Sequence, residues 1–248
     1  MTTQAKEVKP TLALLRNVSA CFTLVETLRG RNPHLPGLGV FHGPSGYGKT
    51  YAAIYAQNRT RGLRVEVGES WTRKSFLGAI LAEAGLAKAP RTIADMMEAA
   101  IYTLGDDPDR PLFVDEADKA VDKGYIELIR ELHDKAQVPI VLIGEEELPA
   151  KLQAVERTAN RVLEWIPALP CDAEDTRALA QLFCDDIQVA DDLLEVVRRQ
   201  SDGRARRIVV NLQRIGEHAR NHGIDAIDAA AFDGDFFTGR PARRRRAA

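Results

Sequence analysis

The sequence predicts an α/β fold: a parallel sheet flanked by helices, followed by a small C-terminal α-helical lid. Three observations carry this. Short apolar runs alternate with stretches of helical period, the pattern of parallel strands joined by crossover helices. The segments "FV" and "IVLI" are continuously apolar, as strands buried on both faces are. Beyond Pro167 to Pro170 the strand pattern stops and only helical period continues.

The elements follow in order. Residues 1–36 are expected to form an N-terminal helical segment, with no apolar run of signal-peptide type in "MTTQAKEVKP". "LGVF" (residues 38–41) reads as the first strand and "LRVEV" (63–67) as the second. "TIADMMEAAIYTLG" is helical and leads into a strand at "PLFVDEAD" (111–118). "YIELIRELHDKA" is helical and leads into "PIVLIG" (139–144), and "RVLEWI" (161–166) is the last strand. The α/β domain is thus expected over 37–170 and the helical lid over 171–232. In the lid, "AEDTRALAQLFCDD" places Leu179, Leu182 and Phe183 on one face. "DDLLEVVRRQSDG" stops at Gly203, and "ARRIVVNLQRIGEHARNHG" carries Ile208, Leu212 and Ile215 and stops at Gly223. Residues 233–248 are expected to be a basic, disordered tail.

Composition narrows the function. The 248 residues are 45% hydrophobic and 28% charged, with a net charge of -2, so nucleic acid would be met by local basic patches rather than by the whole surface. Three widely spaced cysteines, Cys21, Cys171 and Cys184, fit a reducing compartment better than a disulfide framework. No apolar run reaches membrane-spanning length, and the expected location is the cytoplasm.

The loop after the first strand reads Gly43, Pro44, Ser45, Gly46, Tyr47, Gly48, Lys49, Thr50, matching G-x-x-x-x-G-K-[ST]. The glycines let the backbone wrap an anion so that its N–H groups face it. A helix starting near Lys49 adds its partial positive charge. Lys49 would reach the β- and γ-phosphates and the Thr50 hydroxyl would bind Mg²⁺. A chance glycine turn is the alternative, set aside because a strand precedes the loop and a helix follows it. In "LFVDEAD" two acids end a buried strand, where ligands of open α/β sheets bind. Asp115 would hold the Mg²⁺ and Glu116 would polarise an attacking water; a solvated acidic turn is the bland alternative. A base beside the metal ligand implies hydrolysis, and the absence of an N-K-x-D stretch points to ATP. The fold expected is therefore that of a P-loop NTPase, an ATPase with ATP and Mg²⁺ at its site.

On these motifs the chain resembles the AAA+ ATPases over roughly residues 10–223. The resemblance implies further roles. A polar residue, often Asn or Thr, orients water at the end of the next strand; the matching position here is Glu145, a departure from that pattern. An arginine before the last strand reaches a neighbouring subunit's nucleotide; "ERTANRV" offers Arg161 and, as the alternate, Arg157. An arginine opening a lid helix senses nucleotide; "GRARRIVVNL" puts Arg206 there, with Arg207 as the alternate. Such a finger requires self-association into a ring or helical filament. "LIGEEEL", "VGESWTRKSFLGAILAEAGL" and the compact lid resemble the phage Mu transposition protein B group and the ATPases of IS21-type and Tn7-type transposons. That likeness implies an ATP-dependent protein that coats duplex DNA without strong sequence preference and stimulates a transposase. Helicase loading, a secretion-linked ATPase role and a non-hydrolysing nucleotide-dependent adaptor are the competing functions. The Mu protein carries an N-terminal helix-turn-helix domain; the roughly 35 residues before the first strand are too few for one. DNA contact is then expected from the ATPase itself or from the tail.

In "SWTRKS" Arg73 and Lys74 stand beside Trp71, Thr72 and Ser75 at an expected helix start, suited to phosphate contacts. An N-capped helix with an exposed Arg-Lys pair and Trp71 in the core reads equally well. Lys119 and Lys123 are weaker candidates. "RPARRRR" either meets a polyanion or solubilises the terminus. His218 and His222 are four apart, without the third ligand a zinc site needs, and read as a surface pair.

Overall fold

A computed structural model describes residues 13–240. They form two compact units: residues 17–169, and residues 170–240 together with 13–16.

The larger unit is built on a five-stranded sheet, β1 (Leu38–His42), β2 (Leu63–Glu66), β3 (Leu112–Asp115), β4 (Ile140–Gly144) and β5 (Val162–Pro167). All pairings are parallel, in the order β2-β3-β4-β1-β5. All five expected strands are present. Helix α1 (Arg16–Arg29) precedes the sheet, and α2 (Lys49–Thr60) joins β1 to β2. α3 (Arg73–Glu83) and α4 (Ile93–Gly105) join β2 to β3, and α5 (Ala117–Asp122) and α6 (Ile126–Ala136) join β3 to β4. α7 (Leu148–Gln153) and the short α8 (Glu156–Ala159) lead to β5.

The strands alternate across the sheet as β geometry requires. Leu38, Val40, Leu112, Val114, Ile140 and Leu142 pack with Phe76, Leu77, Ile80, Met96, Leu104, Ile129 and Leu132 of α3, α4 and α6. On the other face Gly39 lies under Leu24 and Leu28 of α1, where a Cβ would come within 2.8 Å of Leu28. Glycine is required there because the helix sits directly on the strand. Both faces of the sheet are thus covered, and the apolar runs at β3 and β4 have this cause.

The sheet order matters for the site. β4 lies between β1 and β3. At about 4.8 Å per strand, the ends of β1 and β3 stand roughly 10 Å apart with the end of β4 between them. The order reverses direction at β1, and ligands of such sheets bind at the carboxyl ends beside this reversal.

The smaller unit contains α9 (Ala173–Phe183), α10 (Asp191–Gln200) and α11 (Ala205–His222). An Asp172–Asp175 capping box starts α9, and Gly223 ends α11 at φ 65°. Leu179, Leu193, Val197, Ile208, Leu212 and Ile215 are buried in this unit. Three expectations need correction. The unit is not purely helical: β6 (Gln188–Val189) pairs in parallel with β7 (Ala226–Ile227). Two-residue strands leave no readable period. The buried face of α9 runs through Thr176, Leu179 and Ala180, while Phe183 is exposed. The buried position beyond the helix goes to Cys184, whose Sγ lies 3.2 Å from the Leu212 carbonyl.

The third correction concerns the tail. Residues 233–240 are fastened to α11. The buried Asn211 accepts the Phe237 N–H at 2.6 Å and donates to the Phe237 carbonyl at 3.1 Å. Arg214 donates to the Asp235 carbonyl at 3.0 Å and lies over the Phe237 ring. The charge run at the end masked this aromatic anchor. Residues 241–248, with most of the arginine run, and residues 1–12 lie outside the described residues. No helix among the described residues is long and apolar enough to cross a membrane.

Candidate nucleotide site

The glycine loop joins β1 to α2 with φ of 149° at Gly43, 88° at Gly46 and 83° at Gly48. These backbone angles are open to glycine and costly to other residues, so the loop curls at three points. Gly43 lies so close to Ala168 that a Cβ would stand 3.2 Å from its carbonyl. Asn17 of α1, which carried no sequence signal, holds the loop from behind. Its buried side chain donates to the Tyr47 carbonyl at 2.9 Å and to Leu169 O at 2.7 Å, and accepts from Leu169 N at 2.9 Å.

Lys49 begins α2. Its ammonium donates to the carbonyls of Gly43 and Pro44, the latter at 3.0 Å. Burial lowers its pKa, against the opposing charges of Glu145, Asp115, Glu116 and Asp118 in that order.

Asp115 closes β3 and is buried. Its Oδ1 accepts the Glu116 N–H at 3.0 Å and its Oδ2 accepts from Arg64 Nη1 of β2 at 3.0 Å. Glu116 turns the chain from β3 into α5 with φ 57° and ψ 40°. A left-handed glutamate costs about 1–3 kcal/mol and is held only where the surroundings demand it. Lys119, one turn on, lies 3.3 Å from the Glu116 Oε2. Asp118, also buried, accepts the Glu145 N–H at 2.7 Å. Gly144 is required by the same contact, since a Cβ there would lie 2.1 Å from Asp118 Oδ2. His42 ends β1 beside these groups, its pKa lowered by burial and by Lys49, against Asp118.

The donor set fits a magnesium triphosphate. Thr50 and Asp115 offer hard oxygen ligands, and Mg²⁺ takes one or two protein oxygens with the rest from phosphate and water. No group of three or more His, Cys, Asp or Glu among the described residues could hold a metal ion alone. The buried Asp115 already draws a cation, Arg64.

The other sequence candidates stand on other elements. Arg161 precedes β5, and its carbonyl accepts the Leu38 N–H at 2.9 Å. It therefore sits at the amino end of the strands, opposite the loop. Its guanidinium pairs with Asp134 at 2.7 Å, which with Arg130 holds the Asp134 carboxyl below the usual range despite partial burial. Arg157 on α8 is exposed. Arg206 is exposed near the start of α11, while Arg207 pairs with Asp202 at 2.6 Å. Arg73 opens α3, capped by Thr72, and donates to the Gly124 carbonyl at 3.1 Å; Lys74 is exposed and Trp71 half-buried against the core. Lys123 is engaged by Glu69. The His218 and His222 rings stack at 4.2 Å, and His222 Nδ1 lies 2.8 Å from the His218 carbonyl.

Sequence reading missed Asn17, Arg64 and Asp118. Asp118 alone carried a signal, as an acid three residues after Asp115 on the first turn of a helix.

Residues 32–152 match the model of a family described as AAA domain. No curated protein matches the sequence. Among solved structures the chain is similar to the Aeropyrum pernix ORC2 protein in ADPNP-ADP complexes. The TM-score is 0.67 at 15% identity, over 90% of this chain and 68% of that one. It is also similar to the Aeropyrum pernix ORC1 protein in complex with DNA, with TM-score 0.66 at 18% identity over 88% and 63%. A third is the Thermotoga maritima RuvB Holliday junction branch migration motor, with TM-score 0.60 at 18% identity over 87% and 66%. The chain thus spans about two thirds of the length of these structures. Residues 32–152 are thus similar to an AAA domain, and the fold, a five-stranded parallel sheet flanked by helices, is the one these solved structures share.

Proposed function

We propose that this chain is an ATP-dependent, DNA-binding AAA+ ATPase that oligomerises on target DNA and activates or directs a transposase. The observation that carries the nucleotide part is the placement of the 43–50 loop, Asp115 with Glu116, and Glu145 at the carboxyl ends of β1, β3 and β4, which neighbour one another in the sheet. Loop N–H groups of residues 45–50 bind phosphate oxygens, and Lys49 leaves its carbonyl partners for the β- and γ-phosphates. Thr50 and Asp115 would hold Mg²⁺, which would offset phosphate charge. Glu116 takes a proton from water as its oxygen bonds to the γ-phosphorus and the β–γ bridge breaks, leaving ADP and phosphate. Glu145 lines the water position. By the resemblance to AAA+ ATPases, Arg206 on α11 is the nucleotide-sensing arginine.

The finger lies on α8 or at the start of β5. Arg157 is exposed, whereas Arg161 must first leave Asp134, so both positions stay in the proposal and are separated below. DNA and transposase rest on the likeness to the Mu transposition protein B group. They are supported by exposed Arg73 and Lys74 and by the likeness in fold to the ORC1 protein in complex with DNA and to the RuvB Holliday junction branch migration motor. Cytoplasmic location and the domain limits 37–170 and 171–232 belong to the same reading.

Anisotropy of a labelled duplex tests it. Binding should require a magnesium-bound, non-hydrolysable ATP analogue, weaken steeply with salt and tolerate sequence change. Binding that ignores nucleotide would remove the DNA part of the proposal.

A second reading, an adaptor that holds ATP without splitting it, is favoured by the Glu116–Lys119 ion pair at 3.3 Å. Phosphate release separates the two.

A further inference from the structure

Arg64 is the cation that Asp115 holds in this structure. The register sets Arg64 opposite Phe113 and Glu66 opposite Asp115. Arg64 Nη1 lies 3.0 Å from Asp115 Oδ2 and 3.5 Å from Glu66 Oε2. The Asp115 side chain is 5% exposed, Arg64 19% and Glu66 59%. A carboxylate so buried needs a counter-charge. The guanidinium supplies one, while the Glu116 N–H occupies the other oxygen.

Magnesium arriving with nucleotide brings a second cation to the same carboxylate. Two cations on one buried carboxylate repel, and the guanidinium has a second acceptor on its own strand, Glu66, already within ion-pair reach. Glu66 is open to water, so a pair formed there leaves Asp115 to the metal.

We propose that Arg64 is a positioning residue that neutralises Asp115 until magnesium arrives, then yields the carboxylate and moves onto Glu66. Arg64 thereby sets the magnesium concentration at which nucleotide is held. This rests on the nucleotide reading above and extends it to a residue outside the glycine loop and the acidic strand end.

The test uses the full chain and a fluorescent ADP derivative, with binding followed as magnesium is raised from a chelated start. Removing the competing cation in Arg64→Met should lower the half-saturating magnesium about fivefold to tenfold. Arg64→Lys, which keeps a cation, should stay close to wild type. Glu66→Gln, which removes the alternate acceptor, should raise the half-saturating magnesium. Thermal unfolding supplies a second readout: Arg64→Met should be less stable than wild type in chelator, with the gap narrowing under magnesium and nucleotide.

A fixed structural ion pair would give Arg64→Met an unchanged magnesium midpoint and the same stability loss in both conditions, and that result overturns the proposal. If Arg64→Met does not fold, an unshifted midpoint in Glu66→Gln overturns it. Wild-type protein that binds no nucleotide at any magnesium concentration overturns the nucleotide reading and this proposal with it.

Discussion

Asp118 Oδ2 accepts the backbone N–H of Glu145 at 2.7 Å. This bond joins the helix that follows the acidic strand to the end of the neighbouring strand, and it holds Glu145 where its charge acts on Lys49. Asp118→Ala leaves that N–H without its partner and should cost about 1–3 kcal/mol of stability. Phosphate release should fall further than nucleotide affinity. Asp118→Asn keeps an acceptor oxygen and should recover most of the stability in denaturant titrations. Equal losses in the two variants would show that charge, not the hydrogen bond, is what Asp118 supplies.

Asn17 makes three hydrogen bonds from one buried amide, one of them to the glycine loop. Asn17→Ala should destabilise by about 1–3 kcal/mol through the polar groups it leaves unpaired. It should also weaken nucleotide binding, because the loop loses its rear support. Unchanged affinity in an equilibrium titration would confine Asn17 to folding.

Arg157 and Arg161 separate by where they act. Arg157→Ala should leave stability unchanged within about 0.5 kcal/mol, as an exposed substitution. If Arg157 is the finger, the same variant loses phosphate release while still binding ATP. Arg161→Ala strips Asp134 of a partner and should lower stability measurably. Loss of turnover in Arg161→Ala, with Arg157→Ala fully active, would assign the finger to Arg161.

His133 is buried at the start of the sheet, with Nδ1 2.9 Å from the Val138 carbonyl and Nε2 3.2 Å from the Gly37 amide. The carbonyl fixes the proton on Nδ1, so Nε2 accepts from Gly37. Burial lowers the His133 pKa. The Val138 bond and Asp134 oppose this, and Arg31 and Arg161 reinforce it. A folded-state pKa below the unfolded value gives stability that is full above about pH 6.5 and lost as pH falls through the folded-state pKa. The denaturation midpoint should therefore fall as pH drops below about 6.5, and His133→Gln should remove that component. A pH profile unaltered in the variant would exclude His133 as its source.

Sequence pattern reached the features that one strand or one loop contains. β1 and β3 were legible because an apolar run ends in glycine in one and in two acids in the other. α2 was legible because Lys49 and Thr50 follow the last glycine of the loop. Arg64, Asn17 and Asp118 were not, because each acts on a partner brought close by the sheet order or by helix docking. Arg64 meets Asp115 only because β2 pairs with β3. The fastening of residues 233–240 was hidden by the neighbouring arginines, and its anchor Asn211 lies within a helix whose apolar period gave no sign of a side-chain clamp.

The most direct measurement is phosphate release and retention of labelled ATP, with and without duplex DNA, in wild type and Glu116→Gln. Glu116 as the base predicts that wild type releases phosphate, while Glu116→Gln binds ATP, keeps it, and loses about two to four orders of magnitude in rate. Release by Glu116→Gln at the wild-type rate would contradict it.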